Sequence, residues 1–484
     1  MSLSTLPAAS SATPAGLLST VGAGDELRSL QERVAEMEAF GSQVSGAIDS
    51  LVNALLEVKA AQENPAPSPD LAGLQTRVKD LEQQLLVERS NRDFAAVSRM
   101  HPKTRSVVFV GTTFFGDNVK YTWLAFREKA AALGIACWWL PQNREQQQLV
   151  ESLGGDCFPP AYTNWTPEHI NLALSAACVV LTDHFLNPNP FAAALMAGAR
   201  QVQLWHGLSI KEIGFRNLPN GRAFGPHLAR VLNTCGHFAS FVGTQASNEA
   251  DWRRWLAFER YAPIGYARND VLHREPHAGD LANVDLSAYE LARHARSAGR
   301  RVFVYAPTFR DGDRGRWIQA AGLQKIASRV QAAGDCLLVN LHPVEAPHAP
   351  ELARAMPEVR FVQPRTDIYP LLAQSSALIT DYSSLIFDYL HLDRPIVLYR
   401  PDHASYIERS RKLFDQRLAE LPGPVFEDAE SLVAQLNNRS KADRFADARR
   451  RMAKATFDQL DGQAADRAVN LIAEEVDRAV NAAR

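Results

Sequence analysis

The sequence lacks any apolar run long enough to cross a bilayer as a helix, so a membrane-spanning protein is not expected. It also lacks an excess of either charge. Its 52 lysines and arginines stand against 54 aspartates and glutamates, a net charge of -2, and no global field draws it to nucleic acid. Cysteine is scarce. Cys137, Cys157, Cys178, Cys235 and Cys336 form no Cys-x-x-Cys pair, and settings such as Ala177–Val180 suit reduced core thiols rather than a disulfide framework. Residues 1–23 are rich in Ser, Ala, Thr and Gly without a basic leader, so no signal peptide is expected. These absences point to the cytoplasm, with visits to the inner face of the membrane if the substrate is membrane-linked. No metal cluster is legible either: His342, Glu345 and His348 straddle Pro343 and Pro347, which prevents facing ligands on a helix.

What is present begins with heptads. After a disordered stretch over 1–24, Leu27, Leu30, Val34, Met37, Val44, Ile48, Leu51, Leu55 and Val58 recur at alternating three- and four-residue steps, interrupted only at Gly41. That spacing predicts a coiled-coil helix over 25–63. Asn64–Asp70, with three prolines, is a linker, and Leu71, Leu74, Val78, Leu81 and Leu85 open a second heptad helix over 71–100. Residues 25–90 are therefore expected to build a homo-oligomer and to take no part in chemistry.

The remaining chain is long enough for two α/β domains, 101–270 and 271–484. Ser106–Gly111, Ala176–Leu181 and Gln201–Trp205 read as strands of the first, with a helix from Tyr121 to Leu133. Val302–Ala306, Cys336–Leu341 and Ala377–Thr380 read as strands of the second. In open parallel sheets, ligands sit beyond the carboxyl ends of the strands. Arg310, His342 and the pair Ser383 and Ser384 all follow strands at that edge. Each alone reads as a surface ion pair, a capped loop histidine or a helix cap. Together, a guanidinium and an imidazole facing a helix start make a site for a diphosphate. A terminal helix over roughly 440–480 carries Arg439, Lys441, Arg444, Arg449, Arg450, Arg451 and Lys454, a basic cluster suited to a solvated face or to anionic headgroups.

Several segments resemble the CDP-glycerol glycerophosphotransferases of teichoic acid and capsule synthesis. They are Gln203–Gly207 with Lys211 and Gly214, Gly265–Asp270, Tyr305–Arg310, Leu341–Pro343, and Ile379–Ser384 with Phe387–Tyr389. Phe115–Tyr121 and Leu460–Gly462 are weaker echoes. The segments run in family order over about 105 to 470. Leu208–Ser209 stands where the family usually has Thr-Pro, and Ala267 where it has proline; both departures bear on the acceptor side.

The resemblance implies two doubly wound Rossmann-like domains facing a cleft, the GT-B arrangement, with 101–270 on the acceptor side and 271–484 on the donor side. It implies transfer of glycerol phosphate, or a related polyol phosphate, from a CDP-linked donor to a hydroxyl of a glycan or lipid-linked glycan, with release of CMP. His206 is then the general base. Arg310, His342, Ser383 and Ser384 hold the diphosphate and stabilise the leaving CMP, with Thr380 and Asp381 as second-rank contacts, the Asp381 carboxylate capping the helix or orienting a neighbour rather than touching phosphate. Lys211, Arg268, Asn269 and Asp388 are secondary candidates; Arg268 and Asn269 bind donor or hold the hinge, and Asp388 orients Arg310 or His342 or is simply solvated. No cofactor is required and the donor contacts are metal-independent, a helper Mg2+ being left open. The alternatives are a CMP-sugar-dependent glycosyltransferase of capsule or lipopolysaccharide synthesis, or a coiled-coil scaffold with a vestigial site.

Overall fold

The computed structural model describes residues 90–182, 190–208, 238–253, 256–310, 316–409, 420–439 and 442–482. The expected 1–24, 25–63 and 64–70 segments lie outside these residues, as do Lys211, Cys235 and Lys441; of the second heptad segment, 90–100 is helical.

The strands, in chain order, are β1 (Thr104–Val110), β2 (Ala136–Leu140), β3 (Asp156–Cys157), β4 (Ala176–Leu181), β5 (Arg200–Gln203), β6 (Phe238–Val242) and β7 (Phe258–Ala262). There follow β8 (Val302–Ala306), β9 (Cys336–Val339), β10 (Arg360–Phe361), β11 (Ala377–Thr380), β12 (Ile396–Tyr399) and β13 (Val425–Phe426). They form two sheets, ordered β3-β2-β1-β4-β5-β6-β7 and β10-β9-β8-β11-β12-β13. Every pairing is parallel. Parallel strands are covered on both faces, so they are continuous apolar runs, and β4, β8, β9, β11 and β12 are buried throughout. Strand order reverses between β1 and β4 in one sheet and between β8 and β11 in the other. Those reversals open the crevices where ligands of such sheets bind.

Local chemistry sets the limits of the elements. The helix after β1 runs Asp117–Leu133, four residues earlier than the pattern predicts, and ends on Gly134 in the left-handed region at φ 62°. β5 stops at Gln203, two residues short of expectation, because the Gln203 side chain accepts from Trp205 N at 2.9 Å and Trp205 turns to φ 56°. β9 likewise ends at Val339 rather than Leu341.

The single terminal helix expected over 440–480 is two helices, Ala446–Thr456 and Ala464–Ala482. Asp270 caps the second, accepting from Ala464 N at 3.0 Å and Ala465 N at 2.8 Å. Burial pushes the Asp270 carboxyl up to about 6 against those two N–H bonds. This helix packs on β1, β4 and β5, burying Val469, Leu471, Ile472 and Val476. Glu475, fully buried, anchors it through Ser240 Oγ at 2.9 Å and through Arg200. The chain thus returns from the second sheet to brace the first.

The basic cluster is not an open cationic face. Arg449 is buried against Asp443 and Asp393, Arg450 meets Asp393 and Asp447, Arg451 meets Glu420, and Arg439 meets Asp335. Interleaved carboxylates neutralise most of it. Among the described residues, no helix is long and apolar enough to cross a membrane.

Candidate active site at the strand ends

The turn after β5 is built under strain. Trp205 is a bulky residue in the left-handed region, and Gly207 sits at φ 126°, open only to glycine. Trp205 is buried and its indole stacks on the exposed His206 ring, centroids 4.5 Å apart at 28°. Both carbonyls of the turn are tied down from outside. Asn118 Nδ2 donates to Trp205 O at 2.8 Å, and Arg268 Nη1 donates to His206 O at 2.8 Å. His206 Nδ1 lies 3.4 Å from Thr182 O. A carbonyl only accepts, so this contact assigns the ring proton to Nδ1 and leaves the Nε2 lone pair outward.

Arg268 organises the junction. Its Nη1 also donates to Asp117 Oδ1 at 2.7 Å, while Nη2 reaches Asp388 Oδ2 at 3.0 Å and Oδ1 at 3.1 Å. Tyr369 donates to the same carboxylate at 3.0 Å. Burial lowers the pKa of Arg268, but Asp388 and Asp117 outweigh it and hold the guanidinium well above its ordinary value. Asp388 therefore serves Arg268, correcting the expectation that it orients Arg310 or His342. These bonds make Arg268 a clamp between Asp117, the His206 carbonyl and Asp388. A β-carbon on Gly207 would lie 2.8 Å from Arg268 Nη2 and 3.9 Å from Ser384 Oγ. Glycine is required there by its φ of 126°, and any side chain would also crowd the Arg268 guanidinium.

On the second sheet, β8, β9, β11 and β12 are adjacent, and their carboxyl ends lead into Arg310, His342, Ser383 and Arg400. Val344 N donates to His342 Nδ1 at 3.2 Å, which assigns the neutral ring's proton to Nε2, where it is a donor. Phe309 packs against the same ring at 4.7 Å. Ser383 Oγ accepts from Leu385 N at 3.2 Å, and Ser384 precedes a helix of only Leu385–Tyr389. So short a helix contributes little dipole, and the half-buried hydroxyls and N–H groups of the turn are what it offers an anion.

Arg310, Thr380 and Asp381 bond to groups inside the protein, Asp381 in the neighbour-orienting way expected of its carboxylate. Arg310 gives Nε and Nη2 to Asp402 at 2.6 and 2.8 Å and Nη1 to Asp381 Oδ2 at 2.9 Å and Thr308 O at 2.8 Å. Trp317 and Tyr406 sandwich it at 4.4 and 4.6 Å. Asp381, fully buried, also accepts from Thr308 N and Oγ1, both at 2.9 Å. Thr380 Oγ1 donates to Ala306 O at 2.6 Å, fastening β11 to β8. The strand-end rule does not reveal these bonds, because it locates residues without counting their internal partners. Asn269 Nδ2 meets His391 Nε2 at 3.1 Å, and His391 Nδ1 meets His273 Nε2 at 2.9 Å, so Asn269 belongs to a histidine cluster behind the junction.

Sequence reasoning missed Asp117, Asn118, Lys120, Asp402 and Arg400. Lys120 is buried at the junction, donating to Asp367 Oδ2 at 2.7 Å and to the carbonyls of Asp280 and Ala282 at 2.7 and 2.8 Å. The first three lie in Phe115–Tyr121, noted only as a weak motif; Arg400 and Asp402 follow β12 and obey the strand-end rule already used for Arg310. Among the described residues, no trio of His, Cys, Asp or Glu converges as a metal site.

A family model for CDP-Glycerol:Poly(glycerophosphate) glycerophosphotransferase matches residues 92–474. A teichoic acid ribitol-phosphate primase of Bacillus spizizenii is 29% identical over 252 residues, covering 50% of this chain and 61% of that protein. A teichoic acid poly(glycerol phosphate) polymerase of Staphylococcus epidermidis is 30% identical over 252 residues, covering 50% of this chain and 34% of its own length. The chain thus spans under two thirds of one relative and about a third of the other. The wall teichoic acid polymerase TagF superimposes with a TM-score of 0.59 at 20% identity, over 85% of this chain and 99% of that one. A TagF variant soaked with CDPG gives 0.58 at 19% identity, over 85% of this chain and 99% of that one. The likeness to TagF is one of fold.

Proposed function

The chain belongs to the CDP-glycerol:poly(glycerophosphate) glycerophosphotransferase family, and from that premise we propose that it moves a polyol phosphate from a CDP-linked donor to a glycan hydroxyl. The acceptor oxygen forms a bond to the β-phosphorus while the bridging P–O bond to the α-phosphate breaks. CMP leaves with that electron pair, and the acceptor proton passes to Nε2 of His206. Nε2–H of His342 and the groups of the Ser383–Ser384 turn hold the phosphates and the charge that develops on CMP. The two sheets act as two domains, acceptor side and donor side, of a GT-B cleft.

The observation that carries this reading is the bridge made by Arg268, which holds the His206 carbonyl on the first sheet's turn and Asp388 in the helix that follows Ser383 and Ser384 on the second. A base and a donor on facing edges suit phosphoryl transfer. The CDPG used with the TagF variant supports CDP-glycerol as the first donor to try, and the ribitol-phosphate primase makes CDP-ribitol the second. Oligomerisation through 25–90 and contact with the membrane belong to this proposal as the setting for a lipid-linked acceptor.

The test is CMP release, followed by chromatography, from CDP-glycerol, CDP-ribitol and a CMP-sugar with a glycan acceptor. Acceptor-dependent CMP from either CDP-polyol is the expected outcome. CMP from the CMP-sugar alone makes the protein a glycosyltransferase and overturns the reading.

A further inference from the structure

Five cationic side chains are buried among the described residues: Lys120, Arg268, Arg310, Arg400 and Arg449. Four have carboxylates. Lys120 pairs with Asp367, Arg268 with Asp117 and Asp388, Arg310 with Asp381 and Asp402, and Arg449 with Asp443 and Asp393. Arg400 has none. It is 8% exposed, its Nε has no hydrogen-bond partner, and its Nη2 makes one long contact of 3.5 Å to the Asp381 carbonyl. The Tyr382 ring lies 4.8 Å from the guanidinium carbon. Burial pulls its pKa below the ordinary arginine value.

A buried guanidinium without a counter-ion is costly, and cation–π contact with one tyrosine recovers only a small part of that cost. The position shows what the missing partner is. Arg400 is the first residue beyond β12, and β12 pairs directly with β11. Its contacts, Asp381 and Tyr382, are the two residues that lead into Ser383 and Ser384. It therefore stands at the crevice edge in a row with His342 and the serine turn, with planar donors unspent. Arg310, beside it, already gives four of its five N–H donors to Asp402, Asp381 and Thr308.

We propose that Arg400 is the guanidinium that binds a phosphoryl oxygen of the nucleotide donor, the role the strand-end pattern suggests for Arg310. This inference rests on the donor reading above. The phosphate supplies the negative charge the protein leaves out, and the guanidinium fork suits two oxygens at once.

The opposite effects on stability and binding separate this role from a structural one. In the full chain, Arg400→Met removes an uncompensated buried charge, so the ligand-free melting temperature rises or holds. Affinity for CDP-glycerol, measured by calorimetry, falls about ten- to hundredfold, the worth of a charge-assisted hydrogen bond. Arg400→Gln, neutral and still able to reach the Asp381 carbonyl, shows the same loss and carries the test if the methionine variant does not fold. A lower melting temperature with unchanged donor affinity in the folded variant overturns the proposal and makes Arg400 structural. If wild type binds CDP-glycerol and both variants bind it equally, this inference alone falls. If wild type binds no CDP-polyol, the donor reading falls and takes this inference with it.

Discussion

His206 and His342 follow strands of two similar sheets, and each ring has a partner on Nδ1 and an aromatic neighbour, yet they differ in exposure and in how the turn beneath them is held. The His206 ring is exposed, and its turn is tied down through the backbone. Its carbonyl and that of Trp205 are gripped by Arg268 and Asn118, on a turn that holds a non-glycine residue at positive φ. The His342 ring is held directly, by Val344 N on Nδ1 and Phe309 on its face. An exposed ring on a rigid turn suits the base proposed at His206. A donor to a fixed diphosphate benefits from a ring that is itself constrained. The first edge is also tied to the second, since Arg268 holds the His206 carbonyl and reaches Asp388. The reacting geometry therefore depends on the junction more than on either sheet.

The comparison breaks most severely at the base. His206→Ala is expected to cut turnover by about a hundred- to ten-thousandfold, the usual worth of a positioned base, in a CMP-release assay. The next effect is on the clamp. Arg268→Ala strands Asp388 and Asp117 without their cation, and a loss of about 3–5 kcal/mol in urea unfolding is expected, as for other broken buried pairs. Transfer fails with it, while His342 and the second-sheet edge keep their local contacts.

The smallest effect is on pH. Burial, with His273 beside it, lowers His391 from 6.5 to about 3. The unfolded chain then binds a proton that the folded state refuses, so this contribution is complete above about pH 6.5 and drains away as pH falls from there toward 3. The melting temperature should drop across that window, and His391→Phe should flatten the drop. An unchanged slope would show that His391 does not govern it.

The sequence pattern made the parallel sheets legible, because fully covered strands such as Ala176–Leu181 and Ala377–Thr380 are apolar at every position. The strand-end rule located Arg310, His342 and Ser383–Ser384 for the same reason. It did not show which of these face outward. Arg310 is consumed by Asp402, 92 positions away, and Asp388 by Arg268, 120 positions away. Such pairings are set by the crossing of two sheets and leave no local spacing to read. Arg400 was reachable by the same rule but was not sought at β12, and the break in the terminal helix at Phe457–Gln463 carries no proline to mark it.

The most direct test is a calorimetric titration of CDP-glycerol into wild type, His206→Ala and His342→Ala side by side. If the base stands on one edge and the donor on the other, His206→Ala binds CDP-glycerol within about twofold of wild type, and His342→Ala binds it at least tenfold more weakly, the order expected for loss of a hydrogen bond to a charged group. Equal affinities in the two variants would contradict the division of roles between the edges.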